Sequence, residues 1–184
     1  MQGAAPDTDT DTGTGTGTGT GTNTGTGRQA RLSVAGVDLA RMSRLAAAIA
    51  AEARPGDAII LNGDLASGKT TFVKALADAM GTAEAVSSPT YTIAHIYRTD
   101  TLPIIHVDAY RLSGAGEYLD LGFEDLFADH LTVVEWGEPV AAVHPEALHI
   151  GIGFDADDTE LRHWTLHSEG AHWARALDAI GAAA

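Results

Sequence analysis

Gly63-Asp64-Leu65-Ala66-Ser67-Gly68-Lys69-Thr70 sets two glycines, a lysine and a hydroxyl in the pattern G-x-x-x-x-G-K-[ST]. That combination suits the holding of a phosphate chain. The glycines let the backbone turn tightly, so that its N–H groups and those of a following helix's first turn converge on phosphate oxygens. Lys69 would lie against the terminal phosphates, and the Thr70 hydroxyl would hold Mg²⁺. The chain has only two lysines, Lys69 and Lys74, and one of them fills the required slot. The competing reading is a Gly-rich turn with an exposed lysine. An apolar run before the loop (Ala58-Ile59-Ile60-Leu61) and a helical pattern after it (Phe72, Val73, Leu76, Ala77, Met80) speak against that reading.

Hydrolysis or transfer needs more than a cradle. Mg²⁺ takes oxygen ligands, and an acid at the end of a neighbouring buried strand is the usual source. Two acids stand in such places: Asp108 after Pro103–Val107, and Glu135 after Leu131–Val134. In an open α/β sheet both strand ends face the same crevice as the loop. One acid can serve the metal, directly or through water, and the other can orient the attacking water; the sequence leaves that division open. Either acid alone reads as a solvated strand cap. Beside the loop, the pair reads as a site.

Other candidates carry less. Gly151-Ile152-Gly153-Phe154-Asp155-Ala156 has G-x-G-x-x-A spacing, but an acidic turn follows it instead of a helix, so it is set aside as a dinucleotide site. His163 and His167 fall on one face of a strand, and His144 and His149 flank a strand start. Without cysteine or an ordered acid set nearby, these read as surface or satisfied histidines and not as zinc ligands.

The elements that must position these groups follow from periodicity and punctuation. Leu32–Val34 reads as a short strand. Asp38 reads as the N-cap of a helix with Leu39, Met42, Leu45, Ala46 and Ile49 on its apolar face, ended by Arg54-Pro55-Gly56. Strand 57–62, the loop and a helix to Met80 follow, stopped by Gly81. Tyr91–Tyr97 and Leu102–Val107, joined by a short linker, predict an antiparallel hairpin. Residues 117–127 read as short helical pieces broken at Gly122. Ala147–Phe154 and Leu161–His167 pair as strands, and Ala171–Ala182 forms a last helix. The fold class is α/β: a P-loop NTPase-like three-layer sandwich with a mixed central sheet and antiparallel additions.

Residues 7–27 contain only Thr, Gly, Asp and Asn. Such a segment has nothing to bury, so residues 1–30 are expected to be a disordered Thr/Gly-rich tail on a single 31–184 domain. Hydrophobic content of 45% supports a core in the body of the chain. There is no cysteine, no apolar run near the roughly 20 residues that span a bilayer, and no basic or apolar leader region. The expectation is a cytoplasmic protein. A net charge of −14, from 25 acids against 11 bases, rules out a basic stripe for tight nucleic-acid binding. If the function concerns a nucleic acid, a partner should hold it.

Taken together, these residues resemble the TsaE family, small P-loop ATPases of bacterial tRNA threonylcarbamoyladenosine synthesis. The resemblance runs from about Val37 to Val140 and continues weakly to about His167. It rests on Gly63-Asp64-Leu65…Gly68-Lys69-Thr70-Thr71-Phe72, Ser88-Pro89-Thr90-Tyr91, His106-Val107-Asp108-Ala109-Tyr110-Arg111-Leu112 and Glu135-Trp136. It implies ATP and Mg²⁺ as cofactors. Lys69 and the amides of Ala66, Ser67, Gly68, Thr70 and Thr71 would hold the phosphates, with Thr70 on Mg²⁺. Asp108 would act near the metal and water, and Glu135 would complete the metal site. Trp136 would sit by the nucleotide, the Ser88-Pro89-Thr90 turn would sense the γ-phosphate, and the helix from Asp38 would border the adenine. TsaD and TsaB are the implied partners, and they would hold the tRNA. The family usually has glycine where Ala66 stands, so a left-handed backbone there would store strain.

Two other functions compete with a partner-dependent, weak Mg²⁺-dependent ATPase. A small-molecule kinase would need a substrate pocket with a base and an Arg-rich lid, and the sequence offers no such lid. A nucleotide-switched binding module would use the same loop without useful hydrolysis.

Overall fold

The computed structural model describes residues 30–89, 91–156 and 158–184. The Thr-Gly repeats, and Thr90 of the Ser-Pro-Thr turn, lie outside the described residues. The backbone of the fold is a seven-stranded sheet in the order β1-β7-β6-β2-β5-β4-β3. Its centre is built from β2 (Ala58–Asn62), β4 (Ile104–Asp108) and β5 (Leu131–Glu135). These strands pair in parallel, and β6 (Leu148–Phe154) adds to β2 in the same sense. Every residue of β4 and β5 is buried, as is expected of parallel strands covered on both faces.

The outer strands run antiparallel. β3 (Ala94–Tyr97) pairs with β4, β7 (Arg162–Ser168) with β6, and β1 (Ala30–Val37) with β7. Burial alternates along β6 and β7, so this wing of the sheet has one packed face.

Helices cover the sheet unequally. α1 (Leu39–Glu52), α2 (Lys69–Ala79) and α5 (Ala171–Ala182) share one core with Ile59, Leu61, Val133, Ile150 and Trp164. Phe72 meets Trp164 edge-on at 5.3 Å between ring centroids. The short α3 (Ala115–Leu119), α4 (Glu124–Phe127) and the 3₁₀ turn Glu138–Val143 close the other face over Ile60, Ile105, Val107 and Val134. The result is the mixed α/β architecture that the element order predicts. Among the described residues, no helix is long and apolar enough to cross a membrane.

Local chemistry accounts for the boundaries. Asp38 caps α1 by accepting a hydrogen bond from the Arg41 amide at 2.7 Å. Met42, Leu45, Ala46 and Ile49 are buried at helical spacing. Leu39 departs from its expected place on that stripe and is 69% exposed. It sits in the first turn, where it lines an open cleft between α1 and α2 instead of meeting the sheet.

Two strands differ from expectation. β1 is longer than the Leu32–Val34 segment, because it pairs along β7 from Ala30 to Val37. The run from Tyr91 becomes strand only at Ala94, because Ile93 has φ 69° and its amide bonds back to the Pro89 carbonyl at 2.6 Å, closing a turn.

Candidate functional site

β2 carries the chain into the loop at Asn62. A Cβ on Gly63 would stand 2.2 Å from the Ile152 carbonyl oxygen, so only glycine lets the loop leave β2 this close to β6. Gly68, at φ 111°, is the N-cap of α2. Ala66 lies at φ 63°, the left-handed region in which an alanine costs about 1–2 kcal/mol. The strain anticipated for an alanine at this position is present.

Lys69 opens α2 and folds back over the loop. Its Nζ donates to the carbonyls of Gly63 at 2.8 Å and Asp64 at 2.9 Å, and stands 3.8 Å from the centroid of the Trp136 ring. Burial pulls its pKa below the usual lysine value, while Glu135, Asp108 and Asp64 work in the opposite direction.

Thr70 lies under the end of β5. Its hydroxyl meets Glu135 Oε1 at 2.8 Å and Oε2 at 3.1 Å. The β2–β5 pairing sets Leu61 opposite Glu135, which brings that carboxylate against the loop. Asp108 is opposite Glu135 on the next strand, 8% exposed, with Oδ1 accepting from the Tyr110 amide at 3.1 Å. Trp136 then leaves the sheet at φ 56°, its amide donating to Leu61 O at 2.9 Å, and its ring meets Tyr110 at 5.2 Å.

A cavity of about 690 Å³ unites these groups. Ala66, Gly68, Lys69, Thr70 and Thr71 line its floor. Asp108, Glu135, Trp136, Ser88 and Tyr110 line the remaining sides. Ser67 alone among the residues expected to hold the phosphates does not line it: the residue is fully buried, and its carbonyl accepts from Arg162 Nε at 2.9 Å. An open cleft of about 450 Å³ between α1 and α2 shares Thr71 with the cavity and includes Leu39, Met42, Ser43 and Lys74.

The histidines singled out from the sequence, His144, His149, His163 and His167, do not line this cavity. His149 and His167 stack at 4.8 Å, His163 bonds to Ser33 at 3.0 Å, and His144 bonds to the Tyr118 hydroxyl at 2.8 Å. Gly151 and Gly153 belong to β6, with no helix after them.

Sequence reasoning passed over three contributors. His106 is fully buried, with Nε2 2.9 Å from Glu135 Oε1. Its signal was strand alternation, which puts residues 106 and 108 on one face. Arg162 ties the β6–β7 hairpin to the loop, and nothing in its local sequence announces that. Tyr110 forms part of the cavity wall, next to the acid already singled out.

The donor set fits Mg²⁺: a hydroxyl and a carboxylate already in contact, a second carboxylate one strand away, all oxygen. A phosphate chain fits the loop, where Lys69 Nζ is engaged by two backbone carbonyls that phosphate oxygens could replace.

Comparison with known proteins agrees with this architecture. A family model described as threonylcarbamoyl adenosine biosynthesis protein TsaE matches residues 37–163. The tRNA threonylcarbamoyladenosine biosynthesis protein TsaE of Streptomyces coelicolor is 40% identical over 141 residues, covering 73% of this chain and 95% of that protein. The Bacillus subtilis protein of the same name is 41% identical over 111 residues, 59% of this chain and 69% of that one. The crystal structure of Bacillus subtilis YdiB superposes with a TM-score of 0.70 at 29% identity, over 84% of this chain and 97% of the other. With its phosphate loop, its paired strand-end acids and this match across most of its length, the chain belongs to the TsaE family.

Proposed function

We propose that this protein serves tRNA threonylcarbamoyladenosine biosynthesis as a Mg²⁺-dependent ATP-binding and ATP-hydrolysing component, acting with TsaD and TsaB. The observation that carries the reading is the Thr70–Glu135 contact beside Lys69, which sets a metal-type oxygen pair next to a phosphate-type lysine. When bound, ATP and Mg²⁺ supply the transferable phosphoryl group and the charge that neutralises it. The amides of residues 66–71 would hold phosphate oxygens, and Lys69, which now donates to two loop carbonyls, would face the terminal phosphates. Thr70 and Glu135 would hold the metal. Asp108, nearly buried but lining the cavity, would orient the attacking water and receive its proton. Trp136 covers Lys69 and keeps bulk water from it.

The acidic charge of −14 fits an arrangement in which TsaD and TsaB hold the tRNA and this chain supplies the nucleotide signal. A second reading, a nucleotide switch with no useful hydrolysis, is favoured by the strained turn at Ile93, which follows Ser88 at the cavity edge. Reconstitution with TsaD and TsaB separates the two. Phosphate released from ATP to water, lost in Asp108→Ala while ATP binding remains, supports the ATPase. Release that stays at background in the full complex favours the switch. Transfer of the phosphoryl group to any acceptor other than water contradicts both.

A further inference from the structure

We infer that His106 is a positioning residue, fixing the Glu135 carboxylate for its metal role; the inference rests on the Mg²⁺ reading above. The geometry is specific. In the β4–β5 register His106 is opposite Val133 and Asp108 is opposite Glu135, so the imidazole reaches Glu135 diagonally across the strands. His106 is fully buried, and its Nε2 lies 2.9 Å from Glu135 Oε1. A carboxylate offers only lone pairs to this contact, which assigns the proton to Nε2. The other ring nitrogen, Nδ1, is buried and finds no hydrogen-bond partner among the described residues. The ring's only described polar bond is therefore directed at Glu135. A buried polar group oriented toward one partner alone suits a holding role better than a packing role.

The effect on Glu135 is asymmetric. Oε1 meets the Thr70 hydroxyl at 2.8 Å and His106 at 2.9 Å, while the one bond described for Oε2 is the longer 3.1 Å contact with Thr70. His106 thus engages one oxygen and leaves the other with a single longer contact among the described residues. A glutamate has three side-chain torsions, and without such a clamp it would have to be ordered by the metal itself. Partners that orient a ligand in this way commonly change metal affinity by about 10–100-fold when removed. The ring also lies 6.1 Å from Tyr97, whose hydroxyl donates to the Ser87 carbonyl at 3.0 Å. Tyr97 thus lies between the clamp and the segment leading to Ser88.

The test is equilibrium binding of ATP to the full chain, titrated with Mg²⁺ and repeated in EDTA, for wild type, His106→Leu, His106→Gln and Glu135→Ala. His106→Leu should raise the Mg²⁺ concentration that half-saturates the binding enhancement by about tenfold. Its affinity in EDTA should stay within about twofold of wild type, since the loop alone holds the phosphates there. His106→Gln, whose amide nitrogen can occupy the Nε2 position, should restore most of the Mg²⁺ response. In a Glu135→Ala background, His106→Leu should add nothing further.

Three results overturn the inference: a Mg²⁺ midpoint unchanged in His106→Leu, equal losses in EDTA and Mg²⁺ for both His106 variants, or a full His106→Leu effect persisting without Glu135. If His106→Leu does not fold, His106→Gln against the shorter His106→Asn carries the same comparison, and equal Mg²⁺ midpoints for those two overturn it. A wild type and Glu135→Ala with the same Mg²⁺ response would remove the metal reading itself, before any His106 variant is considered.

Discussion

The two walls of the cavity are built differently. The loop-and-β5 wall holds its groups by buried and half-buried bonds: Lys69 on two carbonyls, Thr70 on Glu135, Glu135 on His106. The other side is lined by Ser88 and Tyr110 and adjoins the Ile93 turn, which has a β-branched residue at φ 69°; Tyr91 and Tyr110 leave two aromatic rings in the open. Tyr91 is 95% exposed and Tyr110 69% exposed. Among the described residues, the Asp108 amide donates to the Ile93 carbonyl at 2.8 Å and Arg111 Nη2 to the Tyr91 carbonyl at 3.2 Å, tying that turn to β4 and the turn after it. A wall fixed by buried bonds is suited to binding. A wall with strained backbone and exposed rings is suited to responding.

That contrast can be challenged from the fixed side first. Glu135→Ala leaves the Thr70 hydroxyl and the His106 Nε2 proton without their buried acceptor, and should destabilise the fold by about 1–3 kcal/mol in denaturant unfolding. A loss under about 0.5 kcal/mol would mean that the wall is not held as described. The next largest effect should appear on the responding side. On adding Mg²⁺-ATP, amide exchange at Tyr91–Ile93 should slow by about 5–150-fold, the usual range of a coupling free energy, while β5 changes little. Equal slowing in both segments would erase the distinction.

Ala66→Gly relieves a left-handed alanine on the fixed wall. It should raise stability by about 1 kcal/mol, read as a thermal midpoint about 2–4 °C higher. No rise would mean that the loop relaxes around the alanine. The smallest effect belongs to Tyr91→Ala: with its ring in solvent, the change should leave stability within about 0.5 kcal/mol. A larger loss would show that this exposed wall is structurally engaged.

The sequence disclosed the fixed wall better than the responding one. β2, β4 and β5 are apolar runs, interrupted only by His106 in β4 and Thr132 in β5, ending next to the loop or in an acid, and a run of that kind is what a strand covered on both faces requires. The glycine–lysine spacing revealed the loop, because few residue types tolerate that backbone. Where β3 begins was hidden, since φ 69° at Ile93 is set by closure of the turn onto Pro89 and not by residue type. Likewise the 69% exposure of Leu39 depends on where the sheet lies relative to the first turn of α1, which periodicity does not encode. His106 was visible as a residue but not as a partner of Glu135. Their meeting depends on the register of β4 against β5, a tertiary quantity. Arg162 reaches Ser67 across 95 residues of sequence for the same kind of reason.

The central claim is that the cavity beside Lys69 is an ATP site. Calorimetric titration of ATP and Mg²⁺ into the full chain, wild type against Lys69→Ala, tests it directly. Loss of the lysine's charge-assisted bonds to phosphate should weaken ATP binding by about 100-fold, with circular dichroism unchanged. Indistinguishable affinities for the two proteins would contradict the account.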